Sequence, residues 1–267
     1  AGEKCGSSTI LTTNAREQDG PGTFSAQATL TVVLITLQAA ESRVASVGWR
    51  ARQRLESLQW HFSVQCRRLG ARMDCEMILA ERLEQCYTGA VHDVLREWKL
   101  TNFVLPKEIK PIDVSMKAAG KVFTMTGRID RNVSDHDTLL QWTGFLSKAP
   151  RDSVVVCQPN DDTIAHMGEL SAEVLQYRGV RGYVVDGGTR DTDFICRIGF
   201  STFCKYSVPT DVVGVWIPTA MGEPVTIGSV EIQPNDYIIA DRDGMVRIPG
   251  EMASDVTAAA EKIMTTE

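Results

Sequence analysis

Apolar residues are distributed along this chain in two textures. From Glu41 to Arg96 they fall at spacings of three, four and seven, as at Leu55, Leu58, Phe62, Leu69, Met73, Met77, Leu83, Val91 and Leu95, which predicts helix. After "LPKEIKPID", whose two prolines mark a loop, short β-branched runs alternate with single helical patterns and glycine corners. Strands are predicted over 121–127, 153–157 and 182–186, with helices over 134–147 and 170–178 between them. The first helix has a start signal in Ser134 with Asp137 three residues on, and an apolar face expected from Leu139, Leu140 and Phe145; Gly179 stops the second. A β-rich run follows at 212–217, 225–232, 237–240 and 245–249, with turns at "QPND" and "DRDG", and a helix over 251–264 closes the chain. βα units followed by a meander predict an α/β fold with a mixed sheet. The glycines of "DGGTRD" lack the order of a dinucleotide-binding loop, and no phosphate-loop lysine follows any glycine turn.

The N-terminal region reads differently. Its first 20 or so residues are rich in Gly, Ser, Thr and charge and predict a loosely attached segment. "ATLTVVLITLQAA" is apolar, but it is short and interrupted by threonines and a glutamine, which suits a packed strand or helix better than a membrane span. A secretory leader, with Lys4 and Arg16 ahead of it, is the competing reading. Arg43, Arg50, Arg52, Arg54, Arg67, Arg68 and Arg72 make either a solvated face or a contact for an acidic partner.

Composition narrows the function. With 267 residues and a formal net charge of -6, the chain lacks the basic footprint of a general nucleic-acid binder, so no nucleic acid and no membrane are expected as partners, and a small ligand is. The 7 cysteines show neither a CxxC pair nor a Cys/His zinc spacing, which fits reduced thiols in the cytoplasm.

The candidate chemistry lies in "GELSAEVLQYRGVRGYVVDGGTRD", residues 168–191. Gly168 and Glu169 open a helix, where unpaired N–H groups favour an anion such as a substrate carboxylate. If the strand at 182–186 runs parallel to that at 153–157, Arg190 and Asp191 emerge at the same carboxyl edge and face Glu169. Asp191, with Glu169 directly or through water, can hold a hard divalent cation; Arg190 can donate to a keto oxygen or carboxylate. An ordinary surface Arg–Asp pair beside a first-turn glutamate is the plainer alternative. His166 could touch substrate but reads more simply as structural, and so do His136, Asp186, Asp241 and Asp243.

An acid, twenty intervening residues and Arg-Asp, flanked by "VVDGGTRD" and "DYIIADRDGMVRIP", resemble the RraA-like family over about 81–249. That family includes 4-hydroxy-4-methyl-2-oxoglutarate aldolases and oxaloacetate decarboxylases. The resemblance implies an αββα sandwich of the swivelling β/β/α type over 81–267, preceded by a helical extension over 1–80. It further implies a trimer or a pair of trimers with the site between subunits, and a metal-dependent pyruvate lyase using Mg²⁺ or Mn²⁺. Asp191 would then bind the metal and Arg190 the pyruvyl oxygen; Glu169, where many members have Asp, would orient water on the metal. Amides near Gly168, Glu169 and Leu170 would hold the substrate carboxylate. A non-catalytic regulator that binds a ribonuclease is the other role the resemblance allows.

Overall fold

The computed structural model describes residues 79–266; the expectations for the arginine-rich stretch, the apolar stretch at 28–40 and most of the 1–80 extension lie outside them. In chain order the elements are α1 (Thr88–Glu97), β1 (Lys110–Pro111), β2 (Ala118–Ile129), α2 (Asp135–Lys148), β3 (Ser153–Gln158), α3 (Glu169–Tyr177), β4 (Gly182–Val185) and β5 (Gly188–Thr189). They continue with α4 (Thr192–Ile198), β6 (Thr202–Cys204), β7 (Tyr206–Ser207), β8 (Trp216–Met221), β9 (Val225–Ile227), β10 (Val230–Ile232), β11 (Tyr237–Ala240), β12 (Met245–Ile248) and α5 (Ala253–Met264). Residues 79–85, ahead of α1, are also helical.

The main sheet runs β1-β6-β4-β3-β2-β11-β12. Its centre is parallel, because α2, α3 and α4 carry the chain back between β2, β3, β4 and β6, and its far side is antiparallel, because β11 and β12 form a hairpin. The long β2 curls: its first residues pair with β11, its last pair with β8, and the register shifts between Thr126 and Gly127. Gly127 is required there. A Cβ at that position would lie 2.0 Å from the Trp216 ring and 2.4 Å from the Ile217 carbonyl oxygen. This is the mixed α/β sandwich expected, with helices covering both sides.

Strand alternation divides the core into two clusters. Tyr237 and Ile239 of β11, with Val246 and Ile248 of β12, pack with Val91, Leu95 and Val256 of α1 and α5. Ile238, Ala240 and Met245 point the other way, into the larger cluster with Phe145, Leu175 and Ile195 of α2, α3 and α4. By contrast β3 is buried on both faces along Ser153–Cys157, as a central parallel strand should be.

Three expectations are corrected. On α2 the buried residues are Thr138, Trp142, Phe145 and Leu146, while Leu139 and Leu140 are exposed; the helical period selects 138, 142, 145 and 146 as one face. The run at 212–217 is not one strand. Val215 and Trp216 both donate their N–H to the Val212 carbonyl, Gly214 takes φ +70, and β8 begins only at Trp216. The run at 225–232 is a hairpin turned at Gly228, which takes φ +60.

Candidate active site

The site is assembled by backbone pairing at the carboxyl ends of β3 and β4, the edge at which open α/β sheets bind ligands. The loop after β3 returns alongside the segment after β4. His166 N–H donates to the Gly188 carbonyl at 2.9 Å, Arg190 N–H donates to the Met167 carbonyl at 2.9 Å, and Thr189 Oγ1 donates to the same Met167 carbonyl at 3.1 Å. These bonds place Gly168, which caps α3, against Asp191, which caps α4. The predicted meeting of Glu169 with the Arg-Asp pair is thereby a feature of the fold.

Asp191 takes the left-handed conformation, φ +55, a geometry uncommon outside glycine and tolerated by Asp because its short carboxylate bonds locally. Its Oδ2 accepts the Glu169 N–H at 3.1 Å. The carboxylate therefore occupies the anion position at the start of α3 that the sequence reading left for substrate. Gly168 keeps the approach open: a Cβ there would sit 2.7 Å from Asp191 Oδ2 and 3.2 Å from both Cγ and Nε of Arg190.

Arg190 is held from two sides. Its Nη1 donates to Asp211 Oδ2 at 2.7 Å and its Nε lies 3.4 Å from Asp191 Oδ2, while Nη2 has no hydrogen bond among the described residues. The three side chains are 38%, 37% and 35% exposed, so the guanidinium is fixed without being sealed in. Asp211 fixes its own turn by accepting the Val213 N–H at Oδ1, 3.1 Å away. Sequence reading missed Asp211. It is a lone acid 20 residues beyond the motif, and only the turn-forming "PTD" ahead of the apolar run marks it.

Gly168, Glu169, Leu170, Arg190 and Asp191, with Asp211, line one cavity of about 450 Å³, within the usual range for small-ligand sites. Trp142 forms part of its wall and donates its indole N–H to Ser171 Oγ at 2.8 Å. No group of three or more His, Cys, Asp and Glu side chains among the described residues is placed to hold a metal. A hard cation that keeps most of its water needs only one or two carboxylates, and Asp191 Oδ1 is engaged in no hydrogen bond among the described residues. Carboxylate oxygens are the donor type that Mg²⁺ and Mn²⁺ accept, and among the described residues no histidine or cysteine lines this cavity.

The other candidates fall outside this cavity. His166 is fully buried and neither ring nitrogen has a hydrogen-bond partner; its Nε2 is 3.7 Å from Asp161 Oδ2 and its ring meets Trp216 edge-on at 5.1 Å. Burial lowers its pKa to about 4 against the opposing pull of Asp161. His136 is exposed on the first turn of α2. Asp186 pairs with Lys205 at 2.6 Å behind the loop. Asp241 accepts the Thr88 N–H at 2.9 Å and hydroxyl at 2.8 Å, and so fixes the start of α1, while Asp243 N–H donates to Asp241 Oδ1 at 2.9 Å within the turn. Cys157 is packed and its thiol is pushed up to about 12 by burial.

Comparison with known proteins concerns the chain as a whole. Residues 88–247 match the RraA-like family, described as Aldolase/RraA. A Halalkalibacterium halodurans protein named "Putative 4-hydroxy-4-methyl-2-oxoglutarate aldolase" is 28% identical over 166 residues, covering 61% of this chain and 73% of the relative. A solved structure described as novel cellulases from microbes associated with the gut ecosystem aligns with TM-score 0.66 and 31% identity over 70% of this chain and 84% of its own. Streptomyces coelicolor RraAS2, described as an unusual member of the RNase ES inhibitor RraA protein family, shares the fold with TM-score 0.62 and 24% identity over 70% of this chain and 93% of its own. The match to the family runs from Thr88 at the start of α1 to Arg247 in β12 and so spans every element that builds the cavity: this chain belongs to the RraA-like family.

Proposed function

We propose that the protein is a lyase that cleaves 4-hydroxy-2-oxo acids to pyruvate, or decarboxylates oxaloacetate, through a common pyruvate enolate. The observation that carries this reading is Arg190, which lines the cavity and is clamped between Asp191 and Asp211 with Nη2 in no hydrogen bond among the described residues. In the cleavage, the C4 hydroxyl proton leaves, the C3–C4 bond breaks, and its electron pair moves onto C3 and the C2 oxygen, so negative charge builds on that oxygen. A preorganised guanidinium at the oxygen stabilises the charge without moving, and removing one such donor typically costs 10²–10³ in rate. Glu169 accepts the C4 hydroxyl proton directly or through water, and the proton that then reaches C3 completes pyruvate.

Asp191 Oδ1, with Glu169 directly or through water, would hold Mg²⁺ or Mn²⁺, which supplies Lewis-acid stabilisation of the same oxygen when bound. We further propose that the protein acts in the cytoplasm, consistent with the free thiols of Cys86, Cys157, Cys196 and Cys204. Among the described residues no helix is long and apolar enough to cross a membrane. A trimer, or a pair of trimers, would cover the exposed Leu140, Tyr177 and Phe194, and light scattering on the eluting peak tests that mass.

The test is pyruvate release from 4-hydroxy-4-methyl-2-oxoglutarate and from oxaloacetate, with Mg²⁺ and then with excess chelator. Metal-dependent release that disappears in Asp191→Ala supports the reading. Folded protein with no turnover on either substrate would overturn it and turn attention to the ribonuclease-binding role.

A further inference from the structure

We infer that Asp211 is a positioning residue for this site, which holds the Arg190 guanidinium in place for substrate while Asp191 serves the cation; the inference rests on the reading that Arg190 takes the 2-oxo acid head. Of the two carboxylates beside Arg190, only that of Asp211 makes a hydrogen bond to the guanidinium among the described residues, Nη1 donating to Oδ2 at 2.7 Å. Asp191 Oδ2 lies 3.4 Å from Nε and accepts the Glu169 N–H instead. A charge-assisted hydrogen bond is roughly twice as strong as a neutral one, so Asp211 is the firmer anchor. A divalent cation on Asp191 would draw that carboxylate's charge away from Arg190 and repel the guanidinium, and the carboxylate of Asp211 offsets both effects.

The backbone gives Asp211 a fixed place from which to act. β7 runs parallel to β5, with Gly188 opposite Tyr206 and Thr189 opposite Ser207, so the residues after β7 continue beside Arg190. The Val208 N–H donates to the Thr189 carbonyl at 3.0 Å, and the Ala165 N–H donates to the Thr210 carbonyl at 2.8 Å. The residues just before Asp211 are thus tied to both of the segments that build the site. After it, Oδ1 accepts the Val213 N–H and the Gly214 N–H donates to Thr138 Oγ1 on α2 at 3.2 Å. Each oxygen of Asp211 therefore has its own partner: Oδ1 holds the chain and Oδ2 holds the arginine. An arginine held in this way is oriented before substrate arrives, as a donor for a developing charge must be.

The experiment removes the charge of Asp211 and keeps its turn. Asp211→Asn retains an acceptor for the Val213 N–H, and Asp211→Ser, whose hydroxyl can accept the same N–H, is an independent second variant. Both are expected to lower kcat on oxaloacetate and on 4-hydroxy-4-methyl-2-oxoglutarate about 10²-fold, with KM changed by less than about threefold. Mn²⁺ affinity, measured by calorimetry without substrate, should stay within about threefold of the unsubstituted protein in both, whereas Asp191→Asn should weaken it by about tenfold or more. Oxalate, a planar stand-in for the enolate, should bind about tenfold or more weakly to both Asp211 variants with Mn²⁺ present. Adding Asp211→Asn to Arg190→Lys should cost less than about threefold further, because the two residues act as one unit. Turnover that the Asp211 variants leave unchanged would overturn the inference with the lyase reading in place, as would additive losses in the double variant or a loss of Mn²⁺ affinity equal to that of Asp191→Asn. Oxalate binding that weakens in the Asp211 variants, with no turnover in any protein, would support the role of Asp211 and overturn the lyase reading. Neither turnover nor oxalate binding in the folded, unsubstituted protein would overturn both.

Discussion

Two arginines, each held against aspartate, differ in how deeply their carboxylates are buried. Arg247 of β12 donates from Nε to Asp236 Oδ2 at 2.6 Å, and Asp236 is 4% exposed and also accepts the N–H groups of Gln233 and Gly250. Every strong acceptor there is used, and the result is a fixed turn between β10 and β11. Arg190 is held by two aspartates that are 37% and 35% exposed, at the edge of the cavity that Glu169 and Leu170 also line. Where the carboxylate is buried and spent on the chain, the pair ties a turn together; where the carboxylates stay more than a third exposed, the arginine they hold can recognise something else.

The comparison is broken most directly by removing each arginine in turn. Arg190→Ala is expected to lower kcat/KM at least 10³-fold with little change in Tm, whereas Arg247→Ala should destabilise the fold by about 3 kcal/mol, because Asp236 is left buried and unpaired, yet leave kcat within about threefold. Equal loss of activity in the two variants at a temperature where both are folded would erase the distinction. Gly168→Ala comes next: its methyl group collides with Asp191 Oδ2 and Arg190, so turnover should fall about 10²-fold with the far side of the sheet unaffected.

A third test uses pH. His166 is neutral in the folded protein, with its pKa near 4 rather than 6.5, so the unfolded chain binds the extra proton between those values. Stability should therefore fall as pH drops from about 6.5 to about 4, by roughly 2–3 kcal/mol, and His166→Gln should flatten that slope in denaturant titrations. An unchanged slope would show that other groups set it. The smallest effect is expected at Thr88, whose hydroxyl and N–H are both taken by Asp241: Thr88→Ala should cost about 1 kcal/mol of stability and nothing in turnover.

Both regions were marked in the sequence by phrases that resemble the same family, and their roles differ. "VVDGGTRD" gives Arg190 and Asp191 to the cavity; "DYIIADRDGMVRIP" gives Asp236, its first residue, a partner in Arg247 and gives α1 its cap in Asp241. Local signals were legible wherever one residue decides: Ser134 accepts the Asp137 N–H as a cap, and Gly179 takes φ +78 after α3. The βα order was legible too, because burial of β3 on both faces leaves no other reading of a run such as "SVVVC". What was not legible depended on tertiary packing. The helical period groups Trp142 with Thr138, Phe145 and Leu146, but which of the helix's faces turns inward is decided by packing on β8 and α3. Asp211 was invisible for a similar reason: its role comes from a contact with a residue 21 positions away, made by a turn that breaks an apparently continuous apolar run.

Trp142 gives the cavity a property of a different kind. Its ring is 7% exposed, borders the cavity, and lies 5.9 Å from Trp216 in an edge-on contact. Whatever enters beside Arg190 alters the polarity around a chromophore that is already in place, so occupancy becomes an optical signal that requires no label. Emission recorded while a 2-oxo acid is titrated, and repeated on Trp142→Phe, would report binding at this cavity alone and would separate it from any event elsewhere on the chain.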